Sequence, residues 1–188
     1  MRIISGKARG KKLKSPKNND IRPTLDRVKE SLFNIISSSV RDSVFLDLFC
    51  GSAAIGLEAL SRGAKMVYFI DNNEESLNLA KENIESCNFD KDNYSMKKMD
   101  AFSFISKSSV ENIKFDIIYI DPPYGFEKLE LLLQEISGSD IMGYGSLLIA
   151  ETDKNDEVPA EIDGLKVIDQ RIYSITKLTF YERTKING

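Results

Sequence analysis

The sequence predicts an α/β fold built on a mostly parallel, doubly wound, seven-stranded sheet. Short β-rich apolar runs alternate with helix-spaced stretches from residue 44 to residue 151, five runs in all, which is the pattern of parallel strands joined by crossover helices. Acids stand just past the ends of three later runs, Asp71, Asp100 and Asp121, where open parallel sheets carry their ligands. The last two runs, 165–173 and 176–182, follow one another without a helix, so their short separation admits only an antiparallel hairpin.

In chain order, residues 2–4 and 11–14 are expected to pair as a short basic hairpin around Gly6 and Gly10. SPKNNDIRP (15–23) reads as a polar linker. From Thr24, the positions Leu25, Val28, Leu32, Ile35 and Ile36 keep helical spacing, with Pro23 and Thr24 marking the start and an end near Ser37–Ser39. VFLDLF (44–49) is the first strand, CGSAA (50–54) a small-residue turn, and IGLEALSRG a helix stopped at Gly63. The alternation continues through strand MVYFI (66–70), a helix over about 73–86, strand YSMKKM (94–99), a helix over about 101–107, strand FDIIYI (115–120), a helix over about 126–137 and strand SLLIAE (146–151). Residues 158–163 show no clear period. The organisation expected is a basic arm over 1–23 ahead of one domain over 24–188.

Composition excludes several classes. No apolar run approaches the roughly 18 residues that a membrane span requires. The start MRIISGKARGKK has scattered cations where a secretory peptide needs about 7–15 apolar residues, so a cytoplasmic protein is expected. Two cysteines, Cys50 and Cys87, cannot make a disulfide scaffold, and the absence of histidine removes Ser-His-Asp triads, Cys-His pairs and His-ligated metals. Charge is strongly segregated. Residues 1–41 hold 11 Lys and Arg against three acids, +8, whereas residues 42–188 hold 15 against 26, −11. Such asymmetry suits a basic arm that meets a polyanion. Lys7, Arg9, Lys11 and Lys12 interleave with Gly6 and Gly10, whose backbone can approach a phosphate chain; a merely solvated lysine-rich segment is the alternative.

The residues after the strands point to a nucleotide-type cofactor. After the first strand, Asp47 leads into Phe49, Cys50, Gly51, Ser52 and Ala53. A dinucleotide fingerprint needs glycine where Ala53 stands, and no Walker lysine follows, so a small zwitterionic head group suits Asp47 and Gly51 better than a phosphate. Asp71 lies 20 residues after Gly51, the place for a carboxylate that accepts ribose hydroxyls, although Asn72–Glu75 also matches a helix-capping pattern. Asp100 can accept from an adenine amino group or cap the helix beginning near Ala101.

Asp121-Pro122-Pro123-Tyr124 is the most specific motif. Two prolines stop the strand and fix the Pro122 carbonyl beside the Asp121 side chain, so two acceptors converge on one point. An exocyclic amine offers two hydrogens to such a pair, and accepting both draws its lone pair out of ring conjugation. Tyr124 supplies a flat face for an extruded base.

These residues, Asp47 to Glu58, Asp71, Asp100 and Asp121 to Tyr124, resemble the Rossmann-like class I S-adenosylmethionine-dependent methyltransferases that modify amino groups. The start RIISGKARGKKL (2–13) with RPTLDRVKESLFN (22–34) is similar to the RsmD family, which methylates the exocyclic N2 amine of one guanine in bacterial 16S ribosomal RNA. The resemblance extends over about residues 1–182. It implies that Asp47, Phe49, Gly51 and Ser52 line the methionine end of S-adenosyl-L-methionine, that Asp71 with Asn72 holds the ribose, and that Asp100 with Ala101 borders the adenine. Arg22, Pro23 and Thr24 would begin a helix lying against the cofactor, Asp121, Pro122 and Tyr124 would form the catalytic step, and Lys7, Arg9, Lys11 and Lys12 would grip RNA. The family usually has glycine where this chain has Ala53, and many members have glutamate where it has Asp71.

A monomeric enzyme acting on 16S rRNA or the assembling small subunit, without metal or membrane, is the reading these implications give. The alternatives are a DNA adenine-N6 methyltransferase, for which 188 residues leave little room for a recognition domain, a protein-glutamine methyltransferase, whose members carry asparagine where Asp121 stands, and a non-catalytic RNA-binding assembly factor. If the arm grips RNA, changing Lys7, Arg9, Lys11 and Lys12 to alanine weakens binding to 16S RNA and flattens the slope of log affinity against log salt by up to about four counterions. An unchanged slope in a salt titration would place the RNA elsewhere.

Overall fold

The computed structural model describes residues 1–16, 23–123 and 125–184, and the backbone alone of 23–25. Among these residues one sheet has eight strands: β1 (Val44–Leu48), β2 (Met66–Asp71), β3 (Tyr94–Lys98), β4 (Phe115–Ile120), β5 (Met142–Asp153), β6 (Glu161–Ile162), β7 (Leu165–Tyr173) and β8 (Thr176–Arg183). Their order is β3-β2-β1-β4-β5-β8-β7-β6. The first five are parallel, and β8, β7 and β6 complete the sheet antiparallel. The helices are α1 (Pro23–Ile35), α2 (Ser37–Val40), α3 (Ala54–Ser61), α4 (Glu74–Cys87), α5 (Ala101–Val110) and α6 (Leu129–Gly138). None is long and apolar enough to cross a membrane.

Most expected elements form within a few residues of their sequence bounds, and the departures have local causes. The eighth strand is β6: Asp163 and Gly164 both take positive φ and turn Glu161–Ile162 back onto Lys166 and Leu165, giving a pair too short to show a period. β5 begins at Met142 rather than 146, because Gly143–Ser146 form an irregularity in the β4–β5 ladder between the Phe115 and Ile117 pairings; glycines that read as a turn lie inside a strand. α6 starts at Leu129 rather than 126, after a turn in which the Phe126 N–H bonds the Pro123 carbonyl. The expected first helix breaks at Ile36 into α1 and α2. The hairpin pairs through a single antiparallel bridge, Arg2 with Lys12.

Both faces of the sheet are covered. Phe45, Val67, Phe69, Ile117, Ile149 and Phe180 pack against α1, α3, α4 and the hairpin residues Ile3 and Leu13. Leu46, Leu48, Ile70, Ile118, Ile120 and Leu148 pack against α5 and α6. Alternate residues of each central strand therefore enter opposite cores, which is why these strands read as continuous apolar runs. At Gly56 in α3 an added Cβ would lie 2.3 Å from Phe69 and 3.0 Å from Asp47 Oδ2, so only glycine allows the helix to lie this close to β1 and β2.

The basic arm is docked on α3. Glu58, with no solvent exposure, accepts from the Ile4 N–H at 2.8 Å, the Ser5 N–H at 3.0 Å and Arg62 Nε at 2.8 Å, and Lys29 Nζ of α1 lies 3.5 Å away. Lys29 also donates to the Arg2 carbonyl at 2.6 Å. Farther along, the Lys7 N–H bonds the Ser61 carbonyl and the Ala8 N–H bonds Ser61 Oγ. Gly6 is needed for this contact rather than for a phosphate: at φ +82° its added Cβ would meet the Ser61 carbonyl at 1.8 Å. Removing the Glu58 carboxylate leaves Lys29 buried without its partner. Glu58→Ala is expected to cost about 3 kcal/mol or more, read as a lower urea midpoint at unchanged slope; stability within about 0.5 kcal/mol of the parent, the range of ordinary surface changes, would contradict the clamp.

Candidate active site

The strand order reverses between β1 and β4, and a cleft of about 480 Å³ opens beyond the carboxyl ends of these strands and β5. It is lined by Asp47, Tyr119, Asp121 and Glu151, by the loop after β1, and by Met1, Ser15 and Pro16 from the ends of the arm.

The loop after β1 is tightly held. Phe49, Gly51 and Ala53 all take positive φ, at 69°, 52° and 65°. Two of these are not glycine, and such strained backbone gathers at ligand sites. Ala53 in this conformation costs about 1 kcal/mol relative to glycine. Side chains from three elements fix the loop. Asp71 Oδ2 accepts from the Gly51 N–H at 2.9 Å, Asp47 Oδ2 accepts from the Gly56 N–H at 2.8 Å, and Asn83 of α4 donates to the Ser52 carbonyl at 2.9 Å. Asn83 also donates to the Lys14 carbonyl and accepts the Lys14 N–H, so one buried amide joins the loop to the arm.

The floor is acidic. Asp47 is buried, and burial pushes its carboxyl up to about 7, with the Gly56 N–H opposing the rise and the nearby Asp71 charge adding to it. Asp121 is exposed to the cleft, and desolvation by the surrounding protein, then the Glu151 and Asp47 charges, raise its carboxyl well above the usual carboxylate range. Glu151 is raised by burial while the Tyr119 hydroxyl, which donates to its Oε2, opposes the shift. Lys29 is the one Lys or Arg on the cleft wall among the described residues, and its ammonium is engaged by the Arg2 carbonyl and Glu58. Such a lining suits a cationic head group and an amine donor, and it repels a phosphate.

The structure brings Asp47, Phe49, Gly51, Ser52, Asp121 and Pro122 to this one cleft. Asp71, Asn72, Asp100 and Ala101 stand at the neighbouring strand ends and do not line it. Asp71 spends one oxygen on Gly51 and the other on the Asn73 N–H, and the cap of α4 is Asn73, which accepts from Glu75 and Ser76. Asp100 caps α5, and hydrogen bonds from Ser103 hold its carboxyl below the usual range. Thr24 lies in the first turn of α1; Arg22 and Tyr124 lie outside the described residues. Lys7, Arg9, Lys11 and Lys12 are exposed on the arm and form no ion pair among the described residues. Sequence reasoning missed Tyr119, Glu151, Asn83, Lys29 and Glu58. The available signal was a polar group inside an otherwise apolar strand or helix stripe, since buried polar groups need partners.

The family described as conserved hypothetical protein 95 matches residues 1–182. The chain is 33% identical over 155 residues to ribosomal RNA small subunit methyltransferase D of Haemophilus influenzae, covering 82% of this chain and 80% of that protein. It is 31% identical over 183 residues to the protein of the same name from Escherichia coli K12, covering 97% and 90%. A solved structure of a hypothetical protein from Thermus thermophilus superposes with a TM-score of 0.82 at 28% identity, over 97% of this chain and 99% of that one.

The raised Asp47 carboxyl has a consequence for stability. Its folded value of about 7 lies above its ordinary 3.8, so the native state binds the proton more tightly and stability falls as pH rises through that interval. Asp47→Asn keeps an oxygen for the Gly56 N–H and removes the titration. Its urea midpoint should decline less than the parent's between about pH 4 and pH 7; an equal decline in both proteins would contradict the assignment.

Proposed function

The chain belongs to the conserved hypothetical protein 95 family, the RsmD family of the resemblance above, and from that premise we propose that it methylates the exocyclic N2 amine of a guanine in 16S ribosomal RNA, using S-adenosylmethionine. The observation that carries the reading is the Asp121–Pro122 step, placed after β4 on an acid-lined cleft at the topological switch point. The relatives named as small subunit rRNA methyltransferases support the substrate class.

The residues fit the cofactor: the cleft volume of about 480 Å³ is in the range of small-molecule sites, and its carboxylates oppose a cationic centre. Bound there, S-adenosylmethionine supplies an electrophilic methyl group on a sulfonium. Asp47, Phe49, Gly51 and Ser52 would hold its methionine end, Asp71 and Asn72 the ribose side, and Asp100 and Ala101 the adenine side, and Arg22 and Thr24 would add to the cofactor contacts as the resemblance implies. Asp71 already holds the Gly51 N–H, so it shapes the loop as well as offering its remaining lone pairs to hydroxyls. Asp121 and the Pro122 carbonyl accept the two amine hydrogens and turn the nitrogen lone pair out of the ring. Tyr124 stacks on the extruded guanine, and the released proton passes to Asp121 or to solvent. The arm, residues 1–23, brings its cations to the RNA backbone beside the domain of residues 24–188.

Methyl-labelled S-adenosylmethionine, incubated with unmodified small subunits, free 16S RNA and unmethylated DNA and followed by digestion to nucleosides, tests this directly. Label is expected in N2-methylguanosine from a ribosomal sample. Asp121→Ala should abolish turnover and keep cofactor affinity within a few fold, as expected of a group that acts on the amine. Label in N6-methyladenine, or loss of cofactor binding in the variant, would overturn the assignment.

A further inference from the structure

The cleft holds a second carboxylate that the proposed reaction leaves unused. β4 and β5 pair with Tyr119 opposite Ile149 and Ile120 opposite Ala150. One step further along the same register sets Asp121 beside Glu151, with backbones about 4.8 Å apart. Alternation then puts Tyr119, Asp121 and Glu151 on the face that also carries Asp47 of β1. Tyr119 donates to Glu151 Oε2, the only side-chain hydrogen bond of Glu151 among the described residues, so the carboxylate is held by one oxygen on the cleft lining and Oε1 keeps its acceptor capacity.

We propose that Glu151 is a specificity-determining residue, which selects guanine by accepting the N1–H while Asp121 and the Pro122 carbonyl hold the neighbouring N2 amine. The inference rests on the methyl-transfer reading above and extends it to base choice. Two carboxylates one strand apart repel each other, and both are raised by burial and, at Asp121, by the Glu151 charge. A ligand edge with adjacent donors relieves that repulsion. Guanine presents three hydrogens in a row, N1–H and the two of its amine. Adenine presents an amine flanked by the N1 lone pair, which would face the Glu151 carboxylate with no hydrogen between them. The pairing of two acidic side chains thus separates the two purines at the edge where both carry an amine. Tyr119 is the positioning residue, since its hydroxyl fixes the Glu151 rotamer.

The test uses the full chain and small subunits reassembled with 16S RNA that carries either guanine or 2-aminopurine at the methylated position, located first by nuclease fragmentation and mass spectrometry of the labelled RNA. 2-Aminopurine keeps the N2 amine and replaces the N1–H by a lone pair. The parent protein should methylate guanine over 2-aminopurine by roughly tenfold or more in kcat/KM. Glu151→Gln, whose amide can donate to that lone pair, should narrow the preference by roughly tenfold and keep S-adenosylmethionine affinity, and Tyr119→Phe should narrow it less. A guanine preference unchanged in Glu151→Gln would overturn the role of Glu151 while leaving the methyl-transfer reading intact. Absence of any guanine methylation by the parent would instead remove the reading on which the inference rests.

Discussion

A carboxylate with no solvent exposure must find donors for both oxygens, and Glu58 finds them on three separate segments: the Ile4 and Ser5 N–H groups of the arm, Arg62 at the end of α3 and Lys29 of α1. Taking this charge out of water is costly, and the arrangement holds only because every donor is present together. Arg62 is itself kept in place over the Phe33 ring, 5.0 Å from its centroid. Around this point the hairpin, which forms only one bridge of its own, becomes part of the domain, burying Ile3 and Leu13 in the core. Its two ends then reach the cleft as Met1 and Ser15–Pro16, and its tip lies at the far end of α3 against Ser61.

Two further buried groups extend the constraint to the chemistry. Asn83 couples Lys14 of the arm to the Ser52 carbonyl, and Asp47 couples the end of β1 to the first turn of α3. The arm and the loop after β1, joined in this way, keep a fixed relation to one another. The separation of charge follows the same plan: Lys7, Arg9, Lys11 and Lys12 of the arm form no ion pair among the described residues, and the cleft is lined by carboxylates that would repel a phosphate chain. In the proposed reaction the base enters this cleft while its backbone stays outside.

The parallel core was legible in the sequence because its strands face two cores and therefore read as largely apolar runs, and β4 forms over 115–120 as expected. The loop after β1 and the Asp121–Pro122 step were legible because glycine and proline at strand ends have few structural uses. What escaped was tertiary. Glu58, Lys29 and Asn83 are ordinary helix residues until the arm packs on them, and no local pattern names their partners. Glu151 sits inside an apolar strand run, where its carboxylate was a conflict of pattern that pointed to a site. Asp100 caps α5, one of the two uses its place in the sequence offers, whereas Asp71 accepts from the Gly51 and Asn73 N–H groups, a use that depends on turn geometry more than on spacing. Gly143 and Gly145 concealed the start of β5 because a bulge and a turn share their residue preferences.

The position of the acceptor base is the most direct measure of the proposed reaction. An electron cryomicroscopy structure of the protein on an unmodified small subunit, with S-adenosylhomocysteine added, measures it. The account predicts an extruded guanine whose N2 lies about 3 Å from both an Asp121 carboxylate oxygen and the Pro122 carbonyl, with the arm along the RNA backbone. A base held elsewhere, or an acceptor other than guanine between Asp121 and Pro122, would contradict it.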